Sequence, residues 1–343
     1  PEKRRWVLSF RRGMSPRFPA CLVSATGGGR DRGVRRPSRP GLHSHMGGDV
    51  SAGFVISQLC KRYRGFRLEI DELTIAPGEC LGLVGENGAG KTTLFRSLMG
   101  LVKRDSGRVA LNGRELPPDC PAVRRLLGYV PEESFFYEEQ TVRWTLGFFR
   151  RFYPTWDDGL SNSLLAWSRL DADRKVSELS RGMKRKLQLI LALAFRPPVL
   201  LLDEPTAGLD MVARHEILEL ISTLTGPGES RCVLFSSHQP QDVEQLARRI
   251  AFVHQGRLLT VVDTEDCLRW QVISVPGDGV PPGVLEGLPG RVDACRKGRM
   301  QMVLSRSDRS DIEEYLKSCF PRGDWQIRSA SVEAVFLCLT GRW

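Results

Sequence analysis

From Gly53 onward, short apolar runs alternate with turn-forming residues and with stretches of helical period. FVISQLCKRYRGFRLEIDELTIAPGECLGLVGENG reads as short strands with a turn at Pro77 and Gly78, the last strand being ECLGLV. TTLFRSLMGLV then reads as a helix, and SGRVALNGREL as a hairpin-like piece turning at Asn112 and Gly113. Between Glu139 and Leu179 the pattern turns helical and aromatic. Thr141 is placed to cap a helix, and Trp144, Phe148, Phe149 and Phe152 recur near helical spacing. Strand grammar returns with VLLLD, a helix around HEILELISTL, the strand RCVLFSSH, a helix around DVEQLARRI, and IAFVHQGRLLT. This alternation predicts an α/β core.

Residues 276 to 290, PGDGVPPGVLEGLPG, read as a Pro/Gly-rich linker. Beyond them VDACRKGRMQMVLS resembles a hairpin turning at Lys297 and Gly298, and SDIEEYLKSCF opens with a capping box from Ser310 to Glu313. The organisation expected is a disordered basic extension over 1–50, a main domain over 51–265 with a helical insert at about 138–180, the linker, and a small α+β domain over 291–343. No internal repeat is visible.

At 343 residues and 41% hydrophobic composition the chain can bury a sizeable core. The net charge of +10 is unevenly spread: residues 1–50 hold eleven Lys and Arg against three Asp and Glu, so eight of the ten net charges sit there. That segment has Gly27–Gly29, the prolines Pro16, Pro19, Pro37 and Pro40 beyond Pro1, and no period, hence the expectation of disorder. It reads as a targeting peptide, as a basic arm for nucleic acid or anionic lipid, or as an upstream extension with Met14 or Met46 as the true start. The nine cysteines show no CxxC pair and no metal-ligand spacing, which points to small buried hydrophobes in a reducing compartment. The apolar runs LQLILALAF and VLLL fall short of the roughly 18 residues needed to cross a bilayer.

GENGAGKT matches G-x-x-x-x-G-K-[ST] at Gly85, Gly90, Lys91 and Thr92, between a predicted strand and a predicted helix. Glycines let the backbone approach phosphates and turn its N–H groups inward, and the helix points its positive end at the same place. Gly85, Asn87, Gly88, Ala89, Gly90, Lys91, Thr92 and Thr93 are therefore candidate nucleotide-binding residues. Lys91 would reach the β- and γ-phosphates, and Thr92 would offer its hydroxyl to Mg²⁺. VLLLDEP supplies the acids that hydrolysis needs: Asp203 for the Mg²⁺ shell and Glu204 to polarise the attacking water. The bland alternative, an acidic pair capping a strand before Pro205, loses weight once the phosphate loop is present. His238 ends another strand expected to lie parallel to these, within reach of the γ-phosphate.

LSRGMKRK, residues 179–186, resembles the LSGGQ signature of the ATP-binding-cassette ATPases, the nucleotide-binding subunits of ABC transporters. The resemblance covers about residues 54–262 and implies a P-loop NTPase fold with an antiparallel β subdomain and a helical insert. It also implies ATP and Mg²⁺ as ligands. Ser180, Arg181 and Gly182 would meet the γ-phosphate of an ATP held by the opposite subunit. Tyr63 lies where the family stacks an aromatic on adenine, although packing explains a Tyr there equally well. Asp210 in AGLD resembles the family's dimer-contact loop, and His238 matches its switch histidine.

The pattern is departed from in two places. Glu132 stands where the family carries a glutamine, adding negative charge near the γ-phosphate, and Arg181 and Met183 replace Gly and Gln in the signature. Variants of the LSRGM type resemble those of bacterial export subunits with separate membrane chains, and the ending SVEAVFLCLTG looks like the tail of such subunits.

The resemblance thus implies a cytoplasmic ATPase, peripheral on the inner face of the membrane, that pairs as a homodimer or with a paralogous subunit. It would drive a separate permease, with no nucleic-acid partner. The rivals are a soluble cassette ATPase acting on ribosomes or DNA, and a non-hydrolysing regulator. The aromatic insert reads both as a permease-facing groove and as its own small core, with most of its rings expected to be buried.

Overall fold

The computed structural model describes residues 53–117, 120–133, 135–277, 280, 283–320 and 323–342, so the expected basic extension over 1–50 lies outside the described residues. The chain begins with antiparallel β1 (Phe54–Tyr63) and β2 (Phe66–Ile75), then β3 (Cys80–Val84), the phosphate loop and α1 (Lys91–Leu98). β4 (Ser106–Leu111) and β5 (Arg114–Glu115) form a hairpin whose two turn residues, Asn112 and Gly113, both have positive φ, as a tight primed turn requires. β6 (Leu127–Val130) precedes a helical region of α2 (Val142–Arg150), α3 (Asp158–Ser168) and α4 (Arg181–Leu193). Then come β7 (Val199–Leu202), α5 (Met211–Ser222), β8 (Cys232–Ser237), α6 (Pro240–Leu246), β9 (Arg249–His254) and β10 (Arg257–Asp263).

These ten strands form one sheet in the order β5-β4-β1-β2-β10-β9-β3-β8-β7-β6. β3 pairs in parallel with β8 and β9, and β7 in parallel with β6 and β8. CLGLV, VLLL and CVLFSS are buried along their whole length, which is why they read as unbroken apolar runs rather than alternating ones. Successive residues enter opposite cores: Leu200 and Leu202 pack with α4 and α5 on one face, Val199 and Leu201 with α1 and the antiparallel strands on the other.

After α7 (Thr264–Arg269), β11 (Gln271–Pro276), β12 (Arg291–Lys297) and β13 (Met300–Ser305) build a second sheet, followed by α8 (Arg309–Cys319), β14 (Gln326–Ser329) and α9 (Val332–Leu339). The sheet order is β12-β13-β11-β14. One face, with Ile273, Val275 and Val303, packs on Ile312 and Leu316 of α8. The other, with Val272, Met302 and Leu304, joins α9 in the same core that holds Phe235 and Phe252 of the large sheet.

Several expectations change here. The stretch taken as a linker starts inside a strand, and its Val284, Leu285 and Leu288 are buried against the second sheet; scattered apolar residues outweigh the turn-forming ones. The capping box at Ser310 does not form. The cap position is Asp308, and Glu313 instead meets Arg309 at 2.7 Å one turn earlier. In α2 the Thr141 cap is present, its hydroxyl accepting the Trp144 N–H at 3.1 Å, but most of the rings are not buried. Trp144 stacks on Phe148 at 5.0 Å and Phe148 meets Phe152 edge-on, while Trp144 and Phe152 remain 41% and 54% exposed.

Among the described residues no helix is long and apolar enough to cross a membrane. Five of the eight described cysteines are buried, and only Cys319 is exposed.

Candidate functional site

The site follows from the order of the parallel strands. β3, β8, β7 and β6 are successive neighbours, and beyond their carboxyl ends lie the phosphate loop, His238, Asp203 with Glu204, and Glu132 respectively. Four segments far apart in sequence are thereby aligned along one edge of the sheet, where ligands of open α/β sheets bind. Asn87, Gly88, Gly90, Lys91, Thr92, Thr93, Glu132, Glu204 and His238 line a single pocket of about 370 Å³, together with Phe66 and Glu86.

The loop geometry explains its glycines. At Gly85 a Cβ would collide with the Val253 carbonyl, and Gly90 has φ +107° at the mouth of α1. Both allow a backbone course that a side chain would block, leaving the helix start open to an anion. Ala89 is buried beneath the loop. Lys91 is buried as well, its Nζ donating to the carbonyls of Gly85 at 2.6 Å and Glu86 at 3.2 Å, with Glu204 Oε1 at 3.5 Å.

Glu204 has φ +49°, an uncommon backbone state for a residue of this kind. Its N–H donates to Ser236 Oγ at 3.0 Å, and that hydroxyl donates to Asp203 Oδ1 at 2.9 Å. The Glu204 carboxylate is wedged between Lys91 and His238, with Oε2 accepting the His238 backbone N–H at 3.1 Å and lying 2.6 Å from Nδ1.

Asp203 is fully buried, and burial holds its carboxyl above the ordinary value while the Thr92 and Ser236 hydroxyls work in the opposite direction. Its Oδ2 has no hydrogen-bond partner among the described residues. An orphaned buried carboxylate oxygen beside a threonine hydroxyl suits a hard divalent cation that takes one or two protein ligands and fills the rest of its shell with phosphate and water. The described residues contain no cluster of three or more His, Cys, Asp or Glu arranged to hold a metal.

Ser180, Arg181, Gly182 and Asp210 do not line this pocket. They form a second feature in which two helix starts lie side by side, with Ser180, Arg181 and Asp210 exposed and Gly182 buried. Ser180 caps α4 by accepting the Met183 N–H, and Asp210 caps α5 by accepting the Ala213 N–H at 2.9 Å. Gly182 packs on Ala213, and the Arg181 guanidinium covers Gly208. Each cap stabilises its helix by about 1 kcal/mol, so the turn is firmly shaped without a ligand.

Tyr63 also stands apart from the main pocket. It lines an adjoining depression with Arg62, Gly65, Phe66 and Arg67, its ring tilted against Phe66 at 6.4 Å. Phe66 belongs to both hollows, and the sequence reading missed it because a β2 aromatic at half-buried spacing carries no signal of its own.

Two further groups escaped the sequence. Buried Asp242 at the start of α6 accepts from Thr206, from Arg214 of α5 at 2.7 Å and from Ser237, bracing the turns that carry Glu204 and His238. Arg342, beyond α9, meets both carboxylate oxygens of Glu86 in the phosphate loop at 2.5 and 2.6 Å. Neither lies in a recognisable motif.

A phosphate-binding loop after a buried parallel strand, with an acidic strand end two positions across the sheet, defines a nucleotide-binding P-loop domain. Residues 68–207 match the ABC transporter family. The ABC transporter ATP-binding protein YtrB of Bacillus subtilis (strain 168) is 35% identical over 212 residues, which is 62% of this chain and 72% of that protein. The Nod factor export ATP-binding protein I of Paraburkholderia xenovorans (strain LB400) is 34% identical over 302 residues, or 82% of this chain and 95% of that protein. Among solved structures, an ATP-binding subunit of an ABC transporter aligns with a TM-score of 0.56 and 28% identity, covering 64% of this chain and 92% of that one. A nucleotide-free ATP-binding cassette from an ABC transporter, with a TM-score of 0.54 and 21% identity over 62% of this chain and 91% of that one, shares the fold. The chain belongs to the ABC transporter family, as an ATP-binding subunit.

Proposed function

We propose that this chain hydrolyses ATP as one half of a dimer and thereby drives a separate membrane permease, working as an exporter from the inner face of the membrane. The observation that carries the reading is the convergence of Lys91, Glu204 and His238 in one pocket at contact distance. Lys91 exchanges its loop carbonyls for the β- and γ-phosphates, and the loop N–H groups take the remaining oxygens. Glu204, fixed by His238 on one oxygen, polarises water at the γ-phosphate; His238 also faces that phosphate. Thr92 and Asp203 would hold Mg²⁺, which when bound neutralises charge on the phosphates.

Exposed Ser180 and the backbone N–H of Gly182, at the capped start of α4, are offered to the nucleotide of the opposite subunit, and exposed Asp210 beside them faces the same seam. Binding closes the dimer and hydrolysis opens it, so the work is a shift of population transmitted through the loop of Glu132. The ladder of exposed Tyr137, Trp144 and Phe152 around half-buried Phe148 supplies an apolar face for the permease. Export rests on the relatives named for Nod factor export.

Steady-state ATP hydrolysis by the purified chain, wild type against Glu204→Gln, tests the catalytic core of this reading. Turnover in the wild type that falls at least a hundredfold in the variant, with ATP still bound, supports it. Equal rates would remove Glu204 from the chemistry.

A further inference from the structure

Arg185 lies in the middle of α4, five residues beyond the cap Ser180, and it is buried. A guanidinium in such a place ordinarily pairs with a carboxylate. Here its two terminal nitrogens donate instead to consecutive backbone carbonyls, Nη1 to Pro131 at 2.5 Å and Nη2 to Glu132 at 2.7 Å. The carboxylates of Glu132, Asp203 and Glu204 face it at longer range and offset part of the cost of burying its charge.

The planar fork therefore grips the backbone of the loop whose side chain lines the nucleotide pocket. The helix carrying it is stiff. Ten of its thirteen residues are buried, and Lys186 and Lys184 tie it to Glu216 of α5 at 2.5 Å and to Glu138 at 2.6 Å. At 1.5 Å rise per residue, Ser180 is about 7.5 Å up the helix from Arg185.

We propose that Arg185 is a positioning residue that makes the Glu132 loop and the Ser180–Gly182 helix start move as one body. A shift of Glu132 toward the phosphates of its own pocket then re-aims the surface offered to the neighbouring subunit's nucleotide. The inference rests on the proposed role of Ser180 and Gly182 at a dimer seam. Its structural basis, two hydrogen bonds from one guanidinium, lies within a single chain. Lysine at this position keeps the charge but loses the fork, so Arg185→Lys separates geometry from electrostatics.

The test is hydrogen exchange on the full chain with and without ATP, in the Glu204→Gln background to prevent turnover, with and without Arg185→Lys. Light scattering on the same samples reports association separately, so a failed dimer reading is distinguishable from a failed clamp. In the parent, ATP is expected to slow exchange at 85–93, at 132–137 and at 181–184. With Arg185→Lys, slowing persists at 85–93 and 132–137 but falls at least tenfold at 181–184. Without the Glu204 substitution, Arg185→Lys is expected to lower kcat at least tenfold while KM changes less than threefold. Equal protection at 181–184 in both proteins, or none there in the parent, overturns the clamp. Loss of protection at 85–93 as well also overturns it, since Arg185 would then support the fold rather than couple its parts. Arg185→Gln, which removes both charge and fork, is expected to show the same pattern at least as strongly.

Discussion

Glu204 and His238 are joined twice: Glu204 Oε2 accepts the His238 backbone N–H at 3.1 Å and lies 2.6 Å from His238 Nδ1. Because β7 and β8 are adjacent and parallel, the two residues leave neighbouring strand ends together. The double contact fixes the carboxylate against Lys91 on its other side. His238→Ala removes the ring but keeps the backbone bond. It is therefore expected to lower kcat by about 10²-fold while the Kd for ATP changes less than threefold. Steady-state kinetics with calorimetric titration checks this, and wild-type turnover in the variant would contradict it.

Asp203 gives a prediction about pH. Burial raises its folded-state pKa above the ordinary 3.8, so the folded chain binds that proton more tightly than the unfolded chain. Its contribution to stability is present when it is protonated and is lost as pH rises through the folded value. Asp203→Asn should thus raise Tm at pH 7 without nucleotide, and the gap should narrow as pH falls toward 3.8. Scanning calorimetry from pH 7 to pH 5 tests the sign; a variant that is less stable throughout would refute it. The same substitution should erase the extra Tm that Mg²⁺ adds to ATP in the wild type.

The second sheet shares a core with the first. Phe336 of α9 stacks on Phe252 of β9 at 6.3 Å, and Val332 N–H donates to Glu244 of α6 at 3.0 Å. Heat should therefore unfold the described chain in one transition. Phe336→Ala should lower its stability by about 3–5 kcal/mol without splitting it. Two separate transitions in the wild type would show that the halves fold independently.

The aromatic ladder running from α2 to Phe152 just beyond it predicts a dissociation between stability and assembly. Trp144 and Phe152 are already substantially exposed, so Trp144→Ala and Phe152→Ala should each cost about 1 kcal/mol or less. Their ATPase activity in isolation should stay near wild type, while recovery of the chain with membranes falls severalfold. Undiminished recovery would remove this face from permease docking.

The pocket that gathers Lys91, Glu204 and His238 was legible because its residues come in short contiguous strings. GENGAGKTT, DE after VLLL and H after VLFSS each end a strand whose apolar run is visible, and the parallel sheet brings those ends together. Phe66, Arg185, Asp242 and Arg342 were not legible, since each acts through a partner more than 30 residues away or by facing a cavity. A buried arginine bound to carbonyls leaves no sequence pattern, because backbone acceptors are present at every residue. The linker reading of 276–290 failed for a related reason. Three apolar residues among prolines and glycines look solvated until the sheet that covers them is known.

The most direct test of the whole account is purification of tagged Glu204→Gln chain from native membranes with and without ATP, with the stoichiometry of what accompanies it. Recovery of an ATP-stabilised complex of two ATPase chains with a multi-span membrane protein is the predicted result. Recovery in the soluble fraction alone, with ribosomes or nucleic acid bound, would contradict it.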